Sequence, residues 1–315
     1  MWYFRICYLL VAFLGVLGVP ALFPGAQAAP LPVAASITPL GDFCRQLGGE
    51  LVQVQVIIPP AASPHTFEPS PGILKRAAQA KVLVYVGADL EPWLPRFLAS
   101  LKGKKPVVVV ASEGLPLIQE VSGMAVEATA KGKDHDHHHH HHHKAGSANP
   151  HVWLDPVLAQ DICRRLAAAL IQADPAHAEI YQRNLQAYLE KLENLHKRIQ
   201  EVTAGFKQRE FVSFHPSFTY FARRYGLKEA GVIEVSPGRE PSPQALQGLV
   251  KTVRQAGLKV VFSEPQFSPR LAEVLAREAG ARVLMLDPLG GRPPYGDDYL
   301  ALMEYNLQTM AEAMQ

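Results

Sequence analysis

The amino-acid sequence predicts an α/β protein with two lobes, each with a mostly parallel sheet flanked by helices, joined by one long helix. Short valine-rich runs alternate with helical patterns along the chain, which is typical of βαβ units. Four of these runs precede residue 111 and three follow residue 210, with a long helical repeat between the two groups. We therefore predict a first lobe over residues 29–173, a connecting helix over 174–207 and a second lobe over 208–315. The length of 315 residues also fits two domains, at about 100–200 residues each.

The strands are predicted from short apolar runs that are bounded by turn residues. The candidate strands of the first lobe are Val33–Ile37, Val52–Ile58, Val82–Val86 and Val107–Val110. Those of the second lobe are Phe211–Phe214, Val260–Phe262 and Val283–Leu286. Helices are predicted between most of the strands, and those of the second lobe include Gln244–Ala256 and Arg270–Ala279.

The connecting helix is predicted from apolar residues whose spacing is mostly an alternation of four and three. This stripe consists of Tyr181, Leu185, Tyr188, Leu192, Leu195, Ile199, Val202 and Phe206. Asp174 offers an N-cap and Pro175 suits the first helical position. A helix from Pro175 to Phe206 would span about 48 Å, at roughly 1.5 Å per residue, and could cross both lobes. The spacing also fits a heptad, so a coiled-coil dimer seam is the alternative.

The N-terminus carries the pattern of a secretory signal peptide over residues 1–28. Arg5 precedes an apolar run from Ile6 to Phe23, and Ala26–Ala28 matches a cleavage site, so we expect cleavage after about Ala28. An uncleaved membrane anchor is the alternative. No later stretch has the roughly 18 apolar residues needed to span a bilayer, so we expect an exported, soluble mature chain.

Composition excludes several classes of protein. With a formal net charge of +2, the chain has no broad electrostatic field that would attract it to nucleic acid or to an anionic membrane. A hydrophobic share of 48% argues against a disordered chain. The 3 cysteines have no CxxC spacing, which excludes a CxxC metal site. Two of them, Cys44 and Cys163, could pair in an oxidising compartment, and the sequence leaves this open.

Residues 121–149 are predicted to form a disordered surface loop, because they lack apolar periodicity. Eight of the 13 histidines lie here in an Asp/His tract, at His135, His137, His138, His139, His140, His141, His142 and His143. Such tracts bind metal by composition, without a fixed geometry. The alternatives are an engineered affinity tag and a solvated linker without a role.

Three other histidines lie in loops beside prolines, at His65, His151 and His215. His215 ends one predicted strand and Asp287 ends another, and ligands of open α/β sheets bind beyond the carboxyl ends of strands. Three imidazoles and one carboxylate could form a tetrahedral site suited to zinc. The alternatives are ordinary hydrogen-bonded histidines and an aspartate that caps a turn. The last two histidines, His177 and His196, are off the apolar stripe of the long helix and are expected on the surface.

Several motifs, in the right order, give the chain a family resemblance. They are the segments Pro64–Pro71, Pro150–Pro156, Phe214–Leu227, Glu240–Pro243 and Leu286–Leu289, and the closing helix around Asn306 and Leu307. The chain resembles the zinc-specific solute-binding proteins of bacterial ABC importers, from about Val33 to Met314. The resemblance implies a rigid connecting helix, a metal site in the cleft between the lobes and little movement on metal capture.

The resemblance also implies that His65, His151 and His215 are direct metal ligands. Manganese-specific relatives usually have Glu at the third position, so His215 favours zinc, because imidazole is the softer ligand. Asp287 matches a fourth position that varies in the family, with Glu68 or water as alternatives. Glu264 is interpreted as a structural or surface-docking residue rather than as a ligand.

In function, the resemblance implies a periplasmic, high-affinity protein that captures Zn²⁺ and delivers it to an ABC permease with a separate ATPase subunit. We expect a monomer, and we expect the His tract to bind additional zinc weakly. A zinc hydrolase, with Glu68 or Glu264 as general base, is the enzymatic alternative. A site with four protein ligands is closed, and no HExxH pair occurs, so we expect no enzyme. An extracellular metal buffer or an adhesin could use the same site, and the sequence leaves both open.

Overall fold

The structure is a computed structural model that describes residues 29–101, 103–119, 148–235 and 238–315. The predicted signal peptide and the eight histidines of the Asp/His tract lie outside the described residues. The predicted loop over 121–149 extends too far at its end. Ala148 forms an antiparallel bridge with Gln119. Asn149 is buried, and its side chain donates a hydrogen bond to the backbone oxygen of Pro216.

The first lobe contains a four-stranded parallel sheet in the order β2-β1-β3-β4. Its strands are β1 (Leu31–Ala35), β2 (Val52–Val56), β3 (Val82–Tyr85) and β4 (Val107–Val110). Its helices are α1 (Thr38–Gly48), α2 (Pro71–Ala77), α3 (Leu94–Ser100) and α4 (Pro156–Ala173). All four predicted strands are present, with ends that differ by one or two residues. The predicted α/β class with parallel pairing is confirmed in this lobe.

The connecting helix, α5, spans Ala178–Ala204 and follows a 3-10 turn at Pro175–His177. The prediction of an α-helix from Pro175 was therefore three residues too long at this end. Instead of capping a backbone N–H, the carboxylate of Asp174 accepts a hydrogen bond from the hydroxyl of Tyr181 at 2.8 Å. The Oδ2 atom of the same carboxylate also lies 2.7 Å from Nδ1 of His177.

The apolar stripe of α5 is covered by other helices of the same chain. All of its predicted members are buried except Val202, which is half-buried. They pack against α1 and α4 of the first lobe and against the C-terminal helix α9 (Tyr299–Met314). Because the stripe is occupied within the chain, it does not offer the coiled-coil dimer seam that its spacing allowed.

The second lobe contains two parallel strand pairs that lie side by side, β5 with β6 and β7 with β8. The strands are β5 (Glu210–Ser213), β6 (Lys228–Val232), β7 (Val260–Ser263) and β8 (Arg282–Met285). The remaining helices are α6 (Thr219–Arg224), α7 (Pro243–Gln255) and α8 (Arg270–Ala279). Sequence patterning missed β6, which has almost no apolar run. Its Gly231 packs closely against α7, since a Cβ there would lie 2.7 Å from a terminal methyl group of Leu249.

Buried contacts join the two lobes around the cleft. One hydrophobic cluster extends from Val33 in β1 to Met314 in α9. Between the lobes, the backbone N–H of Tyr299 donates to Asp42 at 3.0 Å, and Arg224 pairs with Asp155 at 2.7 Å. These contacts hold the loops of the two lobes in a fixed relation. The boundaries that we predict for the lobes remain predictions.

Cys44 in α1 and Cys163 in α4 are both fully buried free thiols, so the disulfide that the sequence left open is not formed here. Burial raises the pKa of the Cys44 thiol to about 12, which keeps it protonated and unreactive at neutral pH. Among the helices of the described ranges, none is both long and apolar enough to cross a membrane.

Candidate metal centre

His65 comes from the loop that follows β2 in the first lobe. A tight turn forms this loop, in which the backbone N–H groups of Thr66 and Phe67 both donate to the oxygen of Ser63, at 3.2 and 3.0 Å. The turn leaves the imidazole of His65 half-buried, at the wall of the cleft.

His151 also belongs to the first lobe and lies between Pro150 and the 3-10 turn Val152–Leu154. It is only 2% exposed. The side-chain oxygen of the neighbouring Asn149 lies 2.9 Å from Nδ1 of His151, so the opposite ring atom, Nε2, faces the cleft.

His215 lies two residues after the end of β5 and is the N-cap of the 3-10 turn Pro216–Phe218 of the second lobe. Its Nδ1 lies 2.6 Å from Oε2 of Glu264, the residue that follows β7. Because β5 and β7 are neighbours, their carboxyl ends place these two side chains together, as expected for open α/β sheets.

The Nε2 atoms of the three histidines converge across the cleft. The distance from His151 to His65 is 3.3 Å, and that from His151 to His215 is 3.1 Å. A tetrahedral zinc ion, with Zn–N distances of about 2.0–2.1 Å, would hold its ligand nitrogens roughly 3.3–3.4 Å apart. The three side chains therefore fit an ion of this size. Within the described ranges, they are the one group of three or more His, Cys, Asp or Glu side chains close enough to share a metal.

The space among the histidines is small and closely walled. Its volume is about 10 Å³, roughly the room for one water-sized sphere. Besides the histidines, its walls are formed by Ser63, Pro64, Gln266, Phe267, Pro288 and Leu289. The cavity is therefore suited to a single ion.

Burial keeps the imidazoles of the first lobe neutral. Desolvation, helped by the nearby His215, lowers the pKa of His65 to about 3. The same causes, with His65 added, lower the pKa of His151 well below its usual value. A neutral imidazole carries the lone pair that a metal ion needs, so both side chains are ready to act as ligands at neutral pH.

Asp287 does not join the three histidines. Its carboxylate is fully buried and accepts four hydrogen bonds. The donors are the backbone N–H groups of Leu289 (2.9 Å) and Gly290 (3.1 Å), the amide of Gln266 (3.1 Å) and the hydroxyl of Tyr295 (2.5 Å). This arrangement matches the alternative in which Asp287 caps the following turn. Its role as a ligand remains a prediction.

The other candidates of the sequence also lie apart from the cluster. Glu68 is exposed and pairs with Arg96 at 2.9 Å. His177 and His196 are half-buried rather than fully exposed, because each has a partner, Asp174 for His177 and Tyr225 for His196.

A family model described as the periplasmic component A of zinc-uptake complexes, ZnuA, matches residues 33–313 of the chain. The chain belongs to the ZnuA family. The resemblance drawn from the motifs is thereby confirmed, and the matched range includes every residue of the three-histidine cluster.

Members of the ZnuA family and related structures cover nearly the whole chain. The high-affinity zinc uptake system protein ZnuA of Bacillus subtilis is 31% identical over 312 residues, which cover 98% of this chain and 95% of that protein. A crystal structure of ZnuA has 33% identity and a TM-score of 0.77, and the match covers 91% of this chain and all of that one. The laminin-binding protein Lmb of Streptococcus agalactiae, described as a bifunctional adhesin with metal-transporting activity, has 27% identity and a TM-score of 0.75 over 91% of this chain and all of that one. These likenesses confirm the predicted two-lobed fold class.

Sequence reasoning on this ZnuA-family chain missed two residues beside the ligand candidates, Asn149 and Glu264. Asn149 was placed at the end of the predicted disordered loop, and Glu264 was interpreted as a structural or surface-docking residue. Glu264 lies two residues after the predicted strand Val260–Phe262, so the rule that selected His215, a polar residue directly after a predicted strand, does not select it. No signal of this kind marks Asn149, whose role depends on contacts made only in the folded chain.

Proposed function

We propose that this protein captures Zn²⁺ outside the inner membrane and delivers it to an ABC permease. The observation that carries the proposal is the convergence of three Nε2 atoms, 3.1 and 3.3 Å apart, in a cavity for a single ion. Membership of a family described by zinc uptake supports the choice of cargo.

The ligand chemistry favours zinc over harder cations. Imidazole nitrogens suit zinc, whereas magnesium, calcium and manganese prefer oxygen ligands. The third histidine, His215, lies where the manganese-specific relatives usually have a glutamate, and here the nearby Glu264 binds the far side of the imidazole instead. The cation would therefore meet three nitrogen atoms.

For the fourth position we propose Asp287, as its sequence context predicts. Gln266, Pro288 and Leu289, which contact or follow Asp287, line the cavity. A cation would have to compete with Tyr295 and Gln266 for the oxygens of this carboxylate. Water is the alternative, because it requires no change in these contacts. For Glu68 to be the fourth ligand, its carboxylate would have to break its ion pair with Arg96.

We infer binding and transport rather than catalysis. Glu264, the better placed of the two candidate general bases, contacts Nδ1 of His215 and the hydroxyl of Ser217, and it does not line the cavity. A hydrolase needs a base next to a metal-bound water and room for a substrate. Neither Glu68 nor Glu264 lines this cavity.

The partners and the compartment follow from the same proposal. The permease and a separate ATPase subunit would receive the zinc, and cleavage after about Ala28 would release the chain into the periplasm. We propose a monomer, because the helix stripe that could have formed a dimer seam is buried within the chain. We further propose that the Asp/His tract binds additional zinc weakly, close to the cleft. The bridge between Gln119 and Ala148 pairs the described residues on either side of the segment that contains the tract, next to Asn149.

Metal analysis tests the proposal. Protein from the exported fraction should retain about one tightly bound zinc per chain after mild chelation. The single variants His65→Ala, His151→Ala and His215→Ala should each lose it. Zinc-dependent stimulation of the permease and ATPase then separates a transport protein from a metal buffer or an adhesin. Stoichiometric zinc in all three variants would exclude the site.

A further inference from the structure

We propose that Asn149 and Glu264 are positioning residues that hold a proton on Nδ1 of His151 and of His215, so that both Nε2 lone pairs face the cation. The inference rests on the proposed function, since it explains how the zinc site is prepared. It is carried by hydrogen bonds that allow one orientation of the Asn149 amide, and by a 2.6 Å contact between Glu264 and Nδ1 of His215.

The amide of Asn149 has a fixed orientation. Its Oδ1 accepts a hydrogen bond from the backbone N–H of His151 at 3.0 Å, and its Nδ2 donates to the backbone oxygen of Pro216 at 2.7 Å. A backbone N–H can only donate and a backbone oxygen can only accept, so the amide cannot be reversed. The atom that lies 2.9 Å from Nδ1 of His151 is therefore an acceptor. Consequently Nδ1 carries the proton and Nε2 carries the lone pair.

Glu264 has the same effect on His215. Its side chain is 1% exposed, and Oε2 lies 2.6 Å from Nδ1 of His215. Its other oxygen accepts from the hydroxyl of Ser217 at 3.0 Å and faces the backbone N–H of His215 at 3.4 Å. A carboxylate in contact with one ring nitrogen keeps the proton on that nitrogen, which leaves the lone pair on Nε2.

When both imidazoles are neutral, two lone pairs face each other at 3.1 Å, between Nε2 of His151 and Nε2 of His215. Two acceptors at this distance form no hydrogen bond and repel each other until a positive charge lies between them. The site is thus organised for a cation before the cation arrives. The carboxylate of Glu264 also supplies negative charge behind three ligands that carry none when neutral.

Asn149 additionally couples the ligands of the two lobes. It follows the His-tract segment in the first lobe, yet its side chain binds Pro216, the residue next to His215 in the second lobe. Its backbone oxygen accepts from the hydroxyl of Tyr220 at 2.8 Å. The distance between the two imidazoles therefore depends on Asn149 as well as on the packing of the lobes.

The test for Glu264 compares Glu264→Ala with Glu234→Ala. Glu234 is also buried in the second lobe, but its carboxylate binds the backbone N–H of Gly238 and contacts no histidine of the cluster. We expect the zinc dissociation constant of Glu264→Ala to rise about 10–100-fold, the usual effect of losing a partner of a metal-binding histidine. Glu234→Ala should bind zinc as the parent does. Equal affinities in Glu264→Ala and the parent would overturn the proposal.

The test for Asn149 uses two substitutions and a direct measurement of the proton. Long-range ¹H–¹⁵N spectra of zinc-free protein should show the proton on Nδ1 of both histidines. Asn149→Asp keeps an oxygen facing His151 and should keep this tautomer. Asn149→Ala should give a mixture for His151 and weaker zinc binding. A proton on Nε2 in the parent, or an unchanged tautomer in Asn149→Ala, would overturn the proposal. A parent with these tautomers that binds no zinc would instead contradict the proposed function.

Discussion

Trp153 of the first lobe donates a buried hydrogen bond to the backbone oxygen of Pro288 in the second lobe, at 2.7 Å. Both residues are close to ligand candidates, because Trp153 lies two residues after His151 and Pro288 lies directly after Asp287. The backbone oxygen of Trp153 in turn accepts from the hydroxyl of Tyr299 at 2.6 Å. Hydrogen bonds, as well as the hydrophobic core, therefore join the two lobes beside the cleft.

Removing the indole donor should weaken this junction. We expect Trp153→Phe to lower the free energy of unfolding of the zinc-free protein by about 1–3 kcal/mol more than a matched tryptophan substitution, because it leaves the oxygen of Pro288 unpaired. The matched control is Trp93→Phe, since Trp93 is also buried but its indole N–H has no hydrogen-bond partner in the structure. Urea unfolding of both variants measures the difference. Equal losses would show that the bond to Pro288 contributes no stability.

Zinc should stabilise the folded chain through the three histidines. A ligand that binds only the folded state stabilises it by about 4 kcal/mol at a thousandfold excess over its dissociation constant. We therefore expect a clear rise in Tm on addition of zinc to a parent chain that lacks residues 133–144. His65→Ala, His151→Ala and His215→Ala should each lose most of this rise.

The control for this experiment is His177→Ala, which removes a histidine of the 3-10 turn before α5 that pairs with Asp174. It should keep the full response to zinc. A thermal shift of zero in the parent, or the same shift in all four variants, would contradict the ligand assignment.

The two oxygens of Asp287 allow a separate test of the fourth ligand. We expect Asp287→Asn to weaken zinc binding and to destabilise the zinc-free protein, because an amide nitrogen would face donors that now bind a carboxylate. Tyr295→Phe should destabilise the zinc-free protein but bind zinc at least as tightly as the parent, since it removes the hydroxyl that competes with zinc for Oδ2. Isothermal titration of zinc measures both affinities. If Asp287→Asn binds zinc as the parent does, water is the fourth ligand.

The Asp/His tract should add zinc equivalents without forming the tight site. Deleting residues 133–144 should leave one tight site and lower the total number of zinc ions bound at saturation. A Gly/Ser segment of equal length in place of the tract separates the loss of histidines from the shortening of the chain. Metal analysis after dialysis measures both quantities. Loss of the tight site in either variant would contradict the division into one tight site and a weak tract.

The fold and the cluster differ in how much the sequence could predict. Strands such as Val107–Val110 are short apolar runs, and their pattern predicts them directly. The strand Lys228–Val232 has no such pattern, and its place depends on pairing with β5. The contact between His215 and Glu264 depends on β5 and β7 being neighbours, and this strand order comes from the folded structure rather than from the strand pattern.

Contacts between side chains and distant backbone could not be predicted in this way. The burial of Asn149 depends on the oxygen of Pro216, which the sequence places far away. Likewise, nothing in the sequence around Asp287 indicates that Gln266 and Tyr295 bind its carboxylate. Both cases concern the partners of ligand candidates, whose geometry appears only when the two lobes are packed together.

Anomalous diffraction at the zinc absorption edge, from crystals of the zinc-loaded chain, tests the central claim most directly. We predict a strong peak about 2.0–2.1 Å from Nε2 of His65, His151 and His215. The same map identifies the fourth ligand, as an oxygen of Asp287 or as water. Zinc bound elsewhere in the chain, with no peak among the three Nε2 atoms, would contradict the account.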